Sequence, residues 1–327
     1  MAILITGAGA IGCHTARALC DRGDSVVLLD VAPSLDAIRT IIDPARLTLV
    51  RHDIVDYEGL LDIIRTNKVD RILHTAAMLT RAMREKPRAG VLVNVVGSTN
   101  VLEAARVLGL GRIVLVSSGI VGYASFGSFR GQSFPEDFPM KAISERPNSL
   151  YGTTKLASEY IGLFYNTTYR TDVVVLRYGA VVGAWAGPSN NVSGRMLTSL
   201  LRPAIEGKTA VIDDPLIAWS GGEEFVDIRD VVQANLAALD APAPASRVYN
   251  VGSGKMHSFQ DVVDEVRKLF PEFKLEVKVR LAGGMVGFEH ERPAASDISR
   301  AAAELGFTPR YSLGESIEHF AHSLQAA

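Results

Sequence analysis

"ITGAGAIG", residues 5–12, decides the fold. It follows the β-branched run AILIT (2–6), holds Gly7, Gly9 and Gly12, and runs into an apolar helical pattern over 10–22. Strand, glycine turn and helix in that order make a unit whose turn can bring backbone N–H groups against a negatively charged oxygen at the helix N-terminus. Gly-x-Gly-x-x-Gly alone is a weak pattern, but after a strand and before a helix it becomes a specific one. The competing reading is a tight strand-to-helix turn with no ligand.

The same alternation continues outward. SVVLLD (25–30), RLTLV (46–50), RILH (71–74), RIVLVSS (112–118) and DVVVLRY (172–178) read as strands. They are almost continuously apolar, as strands of a parallel sheet covered on both faces must be. Helical patterns lie between them at 57–67, 89–108 and 150–169. The spacing predicts an α/β fold with a doubly wound parallel sheet, of Rossmann type. Beyond residue 178 the pattern loosens, with a helix over 195–206, a strand and helix over 223–239, a strand in 247–254 and a final helix. Ser258 with Asp261 and Ser312 with Glu315 read as capping boxes. The predicted division is a nucleotide-binding part over 1–178, with 225–251 returning to it, and a smaller, irregular substrate-binding part over 179–224 and 252–327. Three long loops, 122–148, 179–194 and 281–295, are the expected walls of a cleft.

The bulk numbers exclude some classes. Net charge is −2 over 327 residues, with 47% hydrophobic and 21% charged residues. That composition suits a globular chain and gives no electrostatic basis for binding nucleic acid or an acidic membrane. No stretch reads as a membrane span or a secretion signal, so a cytoplasmic location is expected. Asn166 and Asn191 match the glycosylation pattern, which without such a signal is read as chance. Cys13 and Cys20 are about 10 Å apart on one helix, too far for a disulfide. His319 and His322 lack partners for a metal, and no metal site is expected.

Two further stretches carry chemistry. Asp30 ends the second strand about 20 residues past the glycines, where an acid accepts both hydroxyls of an adenine ribose and repels a 2′-phosphate. VAPS (31–34) after it holds no Arg or Lys to neutralise such a phosphate, so NAD is favoured over NADP. In SLYGTTK (149–155), Tyr151 and Lys155 lie one helical turn apart. A cation beside the phenol would lower its pKa from about 10 and make Tyr151 a general acid/base near neutral pH.

Together these motifs resemble the extended short-chain dehydrogenase/reductase superfamily, in its NAD-dependent epimerase/dehydratase group. HDIVD (52–56) is similar to the adenine-contacting motif, HTAA (74–77) to the fourth-strand motif, NVVGSTNVLEAA (94–105) to the next helix, and VSS (116–118) to the end of the catalytic-serine strand. YNVGSG (249–254) and ERPAASDISRAAAELGFTP (291–309) resemble its C-terminal pieces. The resemblance implies cofactor contacts from Gly7, Gly9, Ala10, Ile11, Asp30, Asp53, Ile54, Thr75, Ala76, Ala77, Asn94, Ser117 and Tyr178, with Tyr151 and Lys155. It implies catalysis by a serine with Tyr151 and Lys155, and a substrate wall including Met78, Ser118, Ala180 and Arg292. Ungapped alignment along the strand favours Ser118 as that serine; alignment back from Gly122 favours Ser117. Ser118 is taken as catalytic, with Ser117 near the cofactor. A homodimer through the helices 94–108 and 151–166 is implied as well.

The departures narrow the substrate. Sugar-nucleotide dehydratases place Asp-Glu after the catalytic hydroxyl, where this chain has SSGIV. Ala180 stands where epimerases of nucleotide sugars carry Asn, and Glu223 where they carry an Arg that meets the diphosphate. A carboxylate there repels a phosphate. Arg292 remains from that set, with an ion pair to Glu289 or Glu291 as its competing role. The expected activity is hydride transfer between NAD and a secondary alcohol or ketone of a small polar substrate (a sugar, sugar acid or hydroxy amino acid). The alternatives are a nucleotide-sugar epimerase that retains its NAD and a non-catalytic NAD(H)-binding protein.

Overall fold

A computed structural model describes residues 2–138, 143–187 and 191–325. β1 (Ala2–Thr6), β2 (Ser25–Asp30), β3 (Thr48–Arg51), β4 (Val69–His74), β5 (Ile113–Ser118) and β6 (Val173–Tyr178) occupy the predicted stretches, with ends moved by one or two residues. With Val248–Val251 they form one parallel seven-stranded sheet, in the order Val248–Val251, β6, β5, β4, β1, β2, β3. The chain leaves β1 in one direction through β2 and β3 and in the other through β4, β5 and β6. A crevice therefore opens at the carboxyl ends of β1 and β4, where the winding reverses.

Alternation along each strand sends side chains to two cores. Ile3, Ile5 and Leu28 pack under helices Ala10–Asp21 and Ile228–Asp240, while Leu4, Val27 and Ile72 pack under Tyr57–Thr66 and Ser98–Leu108. Every residue of β1 and β6 is buried, as the two-sided covering requires. A third core, with Leu197, Leu200, Trp219, Phe259 and Ile317, belongs to the C-terminal part. Within 225–251, Phe225–Asp227 pairs in parallel with Ala180–Val182, Ile228–Asp240 covers the sheet, and Val248–Val251 closes its edge. Both capping boxes form: Ser258 with Asp261, and Ser312 with Glu315. Residues 139–142 and 188–190 of two predicted loops lie outside the described residues.

Pro87–Leu108 is long and apolar enough to cross a membrane by length and composition. Part of its apolar surface covers the sheet: Val101, Leu102, Ala104 and Ala105 are fully buried. The run is interrupted by a π turn over Leu92–Gly97. Such turns widen a helix by one residue and often occur at functional positions.

Candidate active site

The glycines do different work. Gly7 has φ +93°, and a Cβ there would lie 2.7 Å from Thr75 Oγ1 and 2.8 Å from the Ala76 nitrogen. A Cβ on Gly12 would lie 2.0 Å from the Gly7 carbonyl oxygen. These two let the turn close on β4 and on its own helix. A Cβ on Gly9 would meet nothing within 4 Å. Helix Ala10–Asp21, which starts there, has no side-chain cap and no acid in its first turn. Its first N–H groups are thus left for an anion. Asp30 holds the turn in place, its two oxygens accepting from the Ala8 and Ala32 nitrogens at 2.8 Å each. Uncapped donors, the open side of Gly9 and an acid at the end of β2 fit a dinucleotide.

A single cavity of about 670 Å³ runs from this turn past Asp53, Ile54 and Thr75–Met78 to Ser118, Tyr151 and Lys155, and ends among Tyr178, Ala180, Glu223, His290 and Arg292. All three predicted loops contribute to its walls, through Tyr123 and Phe126, through Gly179–Gly183, and through Gly284–Phe288.

The helix Leu150–Tyr169 begins at Ser149, whose hydroxyl accepts from the Gly152 nitrogen at 3.1 Å. That cap fixes Tyr151 in the first turn and Lys155 one turn later. Lys155 is 4% exposed, and its Nζ donates to the Val116 carbonyl at 2.7 Å. Burial pulls its pKa down to about 8, against the attraction of Glu159. Tyr151 lines the cavity half-buried. Burial pushes its phenol up to about 12, opposed by a hydrogen bond with Ser118. The expected fall in the Tyr151 pKa is therefore not met: loss of water outweighs the hydrogen bond with Ser118.

The structure separates the two serines. Ser118 contacts Tyr151. Ser117, 3% exposed, donates to the Glu159 carboxylate, which also takes a bidentate bond from Arg177. This buried Ser117–Glu159–Arg177 group was missed in the sequence. Its only signal was an acid four residues past Lys155 on a helix face that also carries Tyr151.

Two further residues of the predicted site are held by protein groups. Asn94 does not line the cavity. Its Oδ1 accepts from the Met78 nitrogen at 2.8 Å, and its Nδ2 donates to the Met78 carbonyl at 3.0 Å and to Thr154 Oγ1 at 3.1 Å. It clamps the wall behind the cavity. Arg292 pairs with neither Glu289 nor Glu291. Its Nη2 donates to fully buried Glu224 at 2.7 Å, and its Nη1 lies 3.6 Å from Glu223. Tyr178 donates to Asn235 from the cavity wall. Among the described residues no group of three metal-ligating side chains forms.

Residues 3–252 match the model of the NAD dependent epimerase/dehydratase family. UDP-glucuronate 4-epimerase 4 from Arabidopsis thaliana is 31% identical, over 97% of this chain and 74% of its own length. UDP-glucose 4-epimerase from Thermus thermophilus, solved with NAD, superposes with a TM-score of 0.79 at 26% identity, over 100% of both chains. The holo form of an L-threonine dehydrogenase from Cupriavidus necator shares the fold, with a TM-score of 0.82 at 23% identity, over 99% of this chain and 100% of that one.

Proposed function

The chain belongs to the NAD-dependent epimerase/dehydratase family of the extended short-chain dehydrogenase/reductase superfamily, and from that premise we propose that it interconverts a secondary alcohol and a ketone on a small polar substrate that carries no nucleotide. It is an NAD-dependent enzyme, and NAD supplies the acceptor or donor of the hydride. Gly7, Gly9, Ala10 and Ile11 would hold the pyrophosphate at the helix N-terminus. Asp30 would hold the adenine ribose, Asp53 and Ile54 the adenine, and Thr75, Ala76, Ala77, Ser117 and Tyr178 the nicotinamide half.

In alcohol oxidation, Ser118 orients the substrate oxygen and Tyr151 takes its proton through the phenolic oxygen as the carbonyl forms. Lys155 stabilises the phenolate by its charge and holds the nicotinamide ribose. Met78, Ala180 and Arg292 form the substrate wall. The observation that carries this reading is the meeting of Ser118, Tyr151 and Lys155 on one cavity with the glycine turn. Two features support a small substrate. One cavity of about 670 Å³ serves both cofactor and substrate, a size within the roughly 300–1,000 Å³ usual for a single drug-sized ligand. Glu223 also lines its far end, where a diphosphate would be repelled.

The epimerase relatives favour a second reading, in which NAD is retained and a nucleotide sugar is turned over. NADH absorbance with sugars, sugar acids, hydroxy acids and nucleotide sugars separates the two. A dehydrogenase forms NADH stoichiometrically with product, whereas an epimerase forms none while changing UDP-glucose.

A homodimer accompanies this reading. Tyr160, Phe164 and Tyr169 of helix Leu150–Tyr169 are 64%, 53% and 47% exposed, and Val107 of the neighbouring helix is 49% exposed. An apolar face of this kind suits pairing with its own copy.

A further inference from the structure

The far end of the cavity holds three charges whose sum is negative. Arg292 is 7% exposed and largely committed: Nε donates to the Ala294 carbonyl at 3.1 Å, and Nη2 to Glu224 at 2.7 Å and to Ser296 Oγ at 2.8 Å. Glu224, fully buried, also accepts from the Gly254 and Ser296 nitrogens at 2.8 and 3.0 Å. Arg292 and Glu224 therefore neutralise each other inside the wall. Glu223 is left over. One of its oxygens accepts from the Glu224 nitrogen at 2.9 Å and lies 3.6 Å from Arg292 Nη1. Its other oxygen has no hydrogen bond among the described residues, and the residue lines the cavity that holds Ser118 and Tyr151. Arg292 joins the two ends of this region, because a Cβ on Gly119, next to Ser118, would lie 2.9 Å from its Nη1. The rest of this end includes the apolar side chains Tyr123, Phe126, Met285 and Phe288, with the His290 imidazole beside Tyr123.

We propose that Glu223 is the specificity-determining residue of the substrate pocket and receives a protonated amine, so that the substrate is a small alcohol bearing a cationic group. This rests on the redox reading above. A carboxylate with one open oxygen, in a largely apolar pocket whose nearest cation is already matched, gains most from a donor that brings its own positive charge. An anionic group in the same place would meet the surplus negative charge.

The test uses two matched triples of alcohols: 1-amino-2-propanol, 1,2-propanediol and lactate, and their one-carbon-longer counterparts 4-amino-2-butanol, 1,3-butanediol and 3-hydroxybutanoate. Binding to the NADH-loaded protein is read by calorimetry, and turnover with NAD by absorbance. The amines are expected to bind about tenfold or more tightly than the diols, with the hydroxy acids weakest. Glu223→Gln keeps an oxygen for the Glu224 nitrogen and is expected to erase that preference while leaving cofactor binding unchanged. Equal binding of amine and diol, or a preference that survives in Glu223→Gln, overturns the assignment. Glu223-dependent amine binding without NADH formation leaves it standing and removes the dehydrogenase reading. Turnover of the diols with no preference for amines does the reverse.

Discussion

The Lys155 ammonium lies 5.9 Å from the centre of the Tyr151 ring and is anchored to the Val116 carbonyl at 2.7 Å. The anchor belongs to the strand that carries Ser118 two residues later, so one side chain ties the position of the phenol's helix to that of the serine. Both ionisable groups are perturbed by the same dehydration, in opposite directions: the phenol upward and the ammonium downward. Each is therefore displaced toward its neutral form, and the positive nicotinamide ring of NAD is the charge that would draw the phenol back.

Tyr151→Phe is expected to lower turnover by about a hundredfold or more, the usual worth of a positioned acid/base, with NAD affinity unchanged. Lys155→Met should weaken both. Stopped-flow turnover and calorimetric NAD titration of the two variants make the comparison. A Tyr151→Phe protein of normal activity would remove Tyr151 from the proton path.

Lys155 also makes stability depend on pH. Its pKa is about 8 in the fold against an ordinary 10.5. Between those values the unfolded chain binds more protons, so stability rises as pH rises from 8 to 10.5, and below 8 the whole penalty is present. Lys155→Met should therefore be more stable than the wild type at pH 7, by on the order of 1–2 kcal/mol after the lost Val116 bond is counted. The advantage should fade by pH 10.5. Urea melts at the two pH values measure it, and a difference that does not change with pH would contradict it.

Asp30→Ala should weaken NAD about tenfold or more and narrow its lead over NADP, since two ribose hydroxyls lose a charged acceptor. Part of the effect would come from the turn itself, because the Ala8 nitrogen loses its partner. Asp30→Asn, which keeps an acceptor for that nitrogen, separates the two contributions. Titration of both cofactors by NADH-type fluorescence is the readout, and equal affinity of the wild type for NAD and NADP would refute the role.

Asn94→Ala should cost about 1–3 kcal/mol, because both polar groups of the Met78 backbone lose their partner together. NAD affinity should fall less than in Asp30→Ala, since Asn94 stands behind the wall. Denaturant midpoints and NAD titration of the same preparation test the pair of effects.

Phe164→Glu, on the exposed apolar face, should convert a dimer into a folded monomer. Light scattering at micromolar concentration decides this. A wild-type monomer would end the dimer reading.

The sheet was legible because its strands are apolar on both faces, a pattern that only a covered parallel sheet needs. Tyr151, Lys155 and Asp30 were legible because their spacing from caps and glycines is local. What was not legible depends on contacts between distant segments. Arg292 was read as a substrate-wall residue, with Glu289 or Glu291 as its competing ion-pair partners, yet the fold brings Glu224 to it across the cavity wall. Asn94 was placed at the cofactor by the motif NVVGSTNVLEAA, which carries no sign of the π turn or of the bonds its amide makes to Met78. The choice between Ser117 and Ser118 depends on strand alternation at the very end of β5, which a one-residue shift of alignment reverses. Glu159, the one carboxylate of its helix, meets Arg177, which comes from the following strand.

The π turn at Leu92–Gly97 has a consequence for length changes in this helix. It stores one residue more than an α-helix of the same rise requires, and each residue of a regular helix turns the chain by about 100°. Deleting Val95 would let the surplus relax into ordinary helix. Backbone bonding would improve, and Asn94 against Met78 and Gly97, whose missing Cβ admits the Ile54 side chain, would keep their faces, because the helix before and after the turn stays in phase. Wound as regular α-helix at full length, the same segment would instead turn Gly97 by about 100° relative to Asn94 and away from Ile54. The irregular helix thus works as a phase shifter, setting the rotation of the clamp relative to the packed segment after it.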